Sequence, residues 1–137
     1  MPHDPELAAE TRGWLVKAKH DLQAADALLK TEPPLLDETV FLCQQAVEKC
    51  FKGFLTWHST PFRKTHLLEE IGSQCLNIEP ALLPLVDKAV PLTKYAWKYR
   101  YPGEPEQPSP QETAAALKVA KMVYADIVRR LPKEAGP

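Results

Sequence analysis

Apolar residues recur along this chain at alternating spacings of three and four, the period of a helix with one buried face. In the first segment, about residues 5–31, Leu15, Ala18, Leu22, Ala25 and Leu29 form such a stripe, with Lys17, Lys19, Asp21 and Asp26 mostly outside it. Glu32-Pro33-Pro34 ends that helix, because proline crowds the helical conformation of the residue before it. Val40, Cys43, Val47, Cys50 and Phe54 repeat the stripe, which runs to Trp57. Asp37 is the expected N-cap of this second helix, with Leu36 and Phe41 placed to form a hydrophobic staple across it. Two long amphipathic helices joined by a short loop predict an antiparallel hairpin, and neither buries its stripe alone.

After a polar turn from His58 to Lys64, a shorter helix is predicted from His66 to Cys75 with Thr65 as its cap. Residues 79–99 are helical in pattern but carry Pro84 and Pro91. A proline inside a helix removes a backbone donor and costs about 3 kcal/mol, so a late start near Pro84 and a break near Pro91 are expected. Residues 102–110 hold four prolines and a glycine and read as a surface loop. The last helix has the clearest start: Ser109 as N-cap, Pro110 at the first helical position and Glu112 closing a capping box. Leu117, Ala120, Tyr124, Ile127 and Leu131 carry its stripe. No segment alternates with period two over strand length. The pattern predicts an all-α, up-and-down antiparallel four-helix-type bundle with an additional short helix. It forms one domain over residues 1–137, with its core at about 5–131.

Composition narrows the function classes. The chain has 137 residues, 45% of them apolar, enough for a core without staples. A formal net charge of -1 provides no global basic field for nucleic acid, so any such binding needs a local patch. Cys43, Cys50 and Cys75 lack the CxxC spacing of a zinc site and read as buried thiols. His3, His20 and His58 show no metal-ligand spacing, and no cofactor is expected. The acidic N-terminus lacks the features of a signal peptide, and no apolar run is long enough to span a membrane; a cytoplasmic protein is expected.

The candidate chemistry lies in Lys94-Tyr95-Ala96-Trp97-Lys98-Tyr99-Arg100-Tyr101, where three cations and four aromatics fall together. Aromatic rings stack on bases while lysine and arginine neutralise phosphate, so the segment suits a nucleotide or RNA. Lys94 and Lys98 are one helical turn apart. The competing reading makes the same rings core or dimer-interface residues with the lysines as a solvated rim. On the second helix, Lys49 and Lys52 lie beside Gln44-Gln45, amides that mark either a polar seam or a subunit interface. His66 is placed at a predicted helix start, where backbone N–H groups favour anions, and reads either as a ligand contact or as a capping residue.

Four stretches in this order resemble the HEPN (higher eukaryotes and prokaryotes nucleotide-binding) family. They are residues Trp14 to Leu22, Phe41 to Leu55, Thr65-His66-Leu67-Leu68 and Tyr99-Arg100-Tyr101-Pro102. The resemblance covers roughly residues 12–130. It implies an up-and-down helical bundle that forms a homodimer, with roles in RNA cleavage or nucleotide binding. It also implies a minimal nucleotidyltransferase partner of toxin–antitoxin type. Ribonuclease members carry an arginine followed after four to six residues by a histidine, the pair serving charge stabilisation and proton transfer. Here the window after Arg100 holds Pro105, Glu106 and Gln107, and none of the other four arginines, Arg12, Arg63, Arg129 and Arg130, has a histidine in range. The expected function is therefore a non-catalytic nucleotide- or RNA-phosphate-binding module. Arg100, Lys98, Lys94, Tyr101, His66 and Lys49 are its contacts. The alternatives are a divergent metal-independent ribonuclease using Arg100 with His66 or Glu106, and a purely structural helical partner.

Overall fold

A computed structural model describes residues 4–103 and 106–137. It shows an all-α bundle of five α-helices with 3-10 segments: α1 Pro5–Leu28, α2 Leu36–Trp57, α3 Leu68–Ile78, α4 Leu83–Ala89 and α5 Pro110–Arg129. Residues 1–3, His3 among them, and Glu104 and Pro105 of the proline-rich loop lie outside the described residues.

α1 begins on Asp4, whose side chain accepts from the Glu6 amide, and buries Leu15, Ala18, Leu22 and Ala25 along the expected stripe. α2 is the central element. It packs on α1, α3, α5 and the 3-10 segment before the proline-rich loop. That position explains why it buries Val40, Cys43, Val47, Cys50 and Phe54 and several polar residues besides. Its start differs from expectation: Leu35 is the N-cap, without a side-chain cap bond, and Asp37 sits inside the first turn. There its charge complements the helix dipole rather than capping a backbone amide. The Leu36–Phe41 staple goes with the misplaced cap, since Leu36 is already helical.

Side-chain pairs give the topology. Gly53 lies against Trp14 and Leu15, while Lys49 reaches Asp21 at 2.6 Å, so α2 ascends as α1 descends. Lys121 meets Asp26 at 2.9 Å and the Arg12 guanidinium donates to the Glu134 carbonyl, which sets α5 antiparallel to α1. After α2 the chain returns along the bundle through residues 58–67. Gln44 near the start of α2 donates to the His66 carbonyl, and Cys75 on α3 contacts the Phe51 carbonyl, so α3 runs in the sense of α2. α3 begins at Leu68, two residues later than predicted, with the Leu67 amide donating to Thr65 Oγ1, and it extends to Ile78. His66 thus precedes the helix instead of opening it.

The proline-bearing stretch folds as 3-10 segment Pro80–Leu82, then α4, then 3-10 segment Val90–Ala96. Pro84 falls in the first turn of α4, where its missing N–H costs nothing, and Pro91 ends the α-helical hydrogen-bond ladder. Val86 packs on Gly72, and Thr93 accepts from the Leu68 amide, which turns this stretch antiparallel to α3. α5 starts on Ser109 as expected, its hydroxyl accepting from the Glu112 amide. One end of the bundle thereby gathers the start of α2, the approach to α3, the segment around residues 93–101 and the start of α5.

Candidate functional site

The polar face of α2 organises that end. Phe41, Gln44, Glu48 and Lys52 succeed one another at spacings of three and four, which places them on one side of the helix. Gln44, Glu48 and Lys52 are buried, yet every polar atom is matched. Glu48 Oε1 lies 2.7 Å from His66 Nδ1 and accepts from Gln44 Nε2 at 3.1 Å; Oε2 accepts from Lys52 Nζ at 3.0 Å. Gln45 completes the chain by donating to Gln44 Oε1 at 2.7 Å. The Lys52 ammonium also stands 5.7 Å from the Trp14 ring centre and 5.6 Å from that of Phe62.

Burial alone would raise the Glu48 carboxyl, but hydrogen bonds from His66, Lys52 and Gln44 and the Lys52 charge outweigh it and hold it below the usual carboxylate value. Glu48 is therefore ionised at neutral pH. The His66 side chain, by contrast, is 62% exposed. A buried carboxylate grips one ring nitrogen while the ring itself faces solvent.

Arg100 approaches the same face of α2 one stage higher. Its guanidinium carbon sits 3.8 Å from the Phe41 ring centre, and Nη1 donates to the Ala96 carbonyl at 3.1 Å. Phe41 and Glu48 are seven residues apart and point within roughly 20° of each other around α2, about 10 Å apart along its axis. The helix thus stations Arg100 and His66 along one stripe, two turns apart. The chain reaches this placement through Tyr99, whose φ of 71° lies in the left-handed region. For a bulky residue that conformation costs about 1–3 kcal/mol. Tyr99 packs on Tyr95 with ring centres 6.3 Å apart, and Tyr95, held by its hydroxyl bond to Glu112, anchors the turn to α5. Burial first, then the bond and charge of Glu112, push the Tyr95 hydroxyl well above its ordinary range, so it remains a donor.

The aromatics of this segment divide between the two sequence readings. Tyr95 is a core residue and Tyr99 is half-buried against it, whereas Trp97 and Tyr101 are 49% and 61% exposed beside Arg100. Lys98 is fixed over the Tyr99 ring at 4.9 Å, and its ammonium pKa is raised by its bond to the Tyr99 hydroxyl. Lys94 points elsewhere: with Lys88, Leu92, Tyr95, Glu112 and Ala116 it borders an apolar cleft of about 240 Å³ between α4 and α5. Lys49 is tied to Asp21 of α1 at 2.6 Å. Arg100 and His66 both meet α2, at Phe41 and at Glu48, Tyr101 is exposed, Lys98 lies over Tyr99, and Lys94 and Lys49 have other partners. Glu106, the alternative base, is exposed.

Sequence reasoning missed Glu48, and with it the reason for His66. A signal was present: Gln44, Glu48 and Lys52 form a polar row at i, i+4 and i+8 inside an otherwise apolar helix. Phe41 was read as part of a staple, whereas it is the platform for Arg100.

The fold is an all-α bundle in which one face of α2 meets the Arg100 cation and the carboxylate-held imidazole of His66, while Trp97 and Tyr101 stay exposed. The particular family is shown by sequence comparison: the HEPN domain model matches residues 11–131, and the chain belongs to the HEPN family. No curated protein and no solved structure matches it. Among the described residues no helix is long and apolar enough to cross a membrane.

Proposed function

We propose that this HEPN protein is a cytoplasmic module that binds the phosphate of a nucleotide or RNA without cleaving it. In this reading it acts as a homodimer beside a minimal nucleotidyltransferase, as one half of a toxin–antitoxin pair. The observation that carries the binding reading is Arg100, laid on Phe41 and tethered to Ala96, with Trp97 and Tyr101 exposed beside it. A pre-oriented guanidinium offers paired donors to a phosphate, and exposed rings offer stacking surfaces to a base. Titration with ATP, GTP and a short RNA tests this. Wild type binds at least one of them and Arg100→Ala weakens that binding; failure to bind any of the three refutes the reading. Light scattering at micromolar concentration and co-purification with the adjacent gene product test the dimer and the partner.

A second reading, the divergent ribonuclease, is favoured by the Glu48–His66 pair, since a carboxylate-held imidazole is a common arrangement for proton transfer. RNA cleavage in the presence of EDTA by wild type, lost in both Arg100→Ala and His66→Ala, supports it; equal cleavage by all three, or none by wild type, refutes it.

A further inference from the structure

At the far end of α2 from Phe41, about 25 Å along the axis, three helices finish around one cleft. The C-cap residues of α2, α3 and α5 are His58, Glu79 and Arg130, and all three line a space of about 290 Å³ together with Phe54 and Ile78. A sphere of that volume is about 8 Å across, at the small end of the range for ligand sites, so only a small molecule fits. The charges around it do not close on each other. Arg63 bonds Glu70 in the cleft beside Phe62, and Tyr95 bonds Glu112 in the cleft between α4 and α5. Here, among the described residues, no ion pair joins Glu79 to Arg130. Glu79 Oε1 accepts from the Ala81 amide at 3.1 Å, and Arg130 donates through Nε to Asp126 Oδ2 at 2.9 Å. The carboxylate keeps its second oxygen for a ligand, and the guanidinium keeps its terminal amino groups.

The surroundings assign each end of such a molecule. The last carbonyls of three helices make this pole electronegative, which favours an ammonium and admits a carboxylate only at the Arg130 guanidinium. Burial lowers His58 below its usual 6.5 despite the opposing charge of Glu79, so at neutral pH the ring adds no second cation. That ring instead packs on Phe54, with centres 4.6 Å apart, and Ile78 extends the apolar wall. A cation and an anion on one small cleft, beside an apolar wall, match a zwitterion that carries an apolar side chain. We propose that this cleft binds a free α-amino acid with an apolar side chain, its carboxylate on Arg130, its ammonium on Glu79 and its side chain against Phe54 and Ile78. The site lies at the other end of α2 from the Arg100 contact, and the inference does not depend on the phosphate reading.

The test is a two-dimensional NMR titration of the full chain with leucine, methionine and phenylalanine, at about pH 7, where both ends of an amino acid are charged. At least one of the three is expected to shift the signals of His58, Phe54 and Ile78 saturably, with a Kd in the low-millimolar range or tighter. Blocking either charge of that amino acid, as its amide or its N-acetyl derivative, weakens binding by about tenfold, the loss of one charge-assisted hydrogen bond at a partly exposed site. Variants then assign the two ends. Glu79→Gln keeps an oxygen for the Ala81 amide, and it removes the discrimination against the N-acetyl form while preserving that against the amide. Arg130→Met does the reverse. The blocked ligands probe both contacts on the wild-type protein, so a variant that fails to fold leaves the test intact. No saturable shift with any of the three by about 20 mM, or shifts scattered over the surface instead of gathered at the cleft, overturns the proposal. So does an amide or N-acetyl form that binds as tightly as the free amino acid.

Discussion

Replacing Lys52 with methionine tests whether the polar row of α2 is an electrostatically balanced unit. Lys52 and Glu48 side chains are 9% and 7% exposed, with Nζ and Oε2 3.0 Å apart, so solvent screens the pair little. Removing one member of a buried ion pair leaves an uncompensated charge and costs about 3–5 kcal/mol. His66 and Gln44 still bond Glu48, which places Lys52→Met near the lower end, at about 3 kcal/mol. For a chain of this size that lowers the melting temperature by about 10 °C. The double variant Glu48→Gln/Lys52→Met removes both charges yet keeps an oxygen that accepts from both His66 and Gln44. It is expected within about 1 kcal/mol of wild type, because neutral replacement of a buried pair is often nearly neutral. Urea denaturation at neutral pH measures both. The sign with pH also follows. Glu48 is held below its ordinary value of 4.5, so in wild type its contribution is complete above that value and is lost as pH falls through the lower folded value. In Lys52→Met the carboxyl relieves its isolation by taking a proton, so the deficit against wild type shrinks in acid. A single variant costing under 1 kcal/mol, or a double variant as unstable as the single one, refutes the reasoning.

Two glycines should respond oppositely to alanine. A Cβ on Gly72 would lie 2.7 Å from Val86 Cγ1, so Gly72→Ala pushes α3 from α4 and costs about 1–3 kcal/mol, whereas nothing lies within 4 Å of a Cβ on Gly13, and Gly13→Ala should stabilise α1 by about 0.5–1 kcal/mol in thermal melts. Burial, aided at Cys43 by the Asp26 charge, pushes the Cys43 and Cys75 thiols up to about 12, so a thiol reagent should label them only after unfolding; rapid labelling of the native protein would contradict their placement. Burial lowers His58 below its usual 6.5 despite the opposing charge of Glu79, so the unfolded chain takes that proton first as pH falls below 6.5 and His58 subtracts stability there; an NMR titration midpoint at or above 6.5 would contradict this.

By itself the sequence determined the helices and most of what they bury. Val40, Cys43, Val47, Cys50 and Phe54 are all in the core, as are Leu15, Ala18, Leu22 and Ala25, because a period near 3.6 commits a stripe to one side whatever it packs against. Ser109 and Pro110 likewise fixed a helix start through contacts within one turn. The misplaced starts at Asp37 and His66 show the limit of such local chemistry. A plausible cap is not used when packing on α1 or the route back along α2 sets the helix start elsewhere.

Only the tertiary structure decided which polar residues share a site. Glu48 and His66 are separated by eighteen positions, and Arg100 meets Phe41 across fifty-nine, so no spacing rule connects them. Lys49 and Lys52 are neighbours of similar appearance on one helix, yet a rotation of roughly 300° between them turns one toward Asp21 of α1 and the other into the buried row. Lys94 and Arg100 lie in the same basic-aromatic segment, and the left-handed turn at Tyr99 separates their surroundings. Helix formation is a property of neighbouring residues, but the meeting of an imidazole, a carboxylate and a guanidinium depends on where the intervening chain returns.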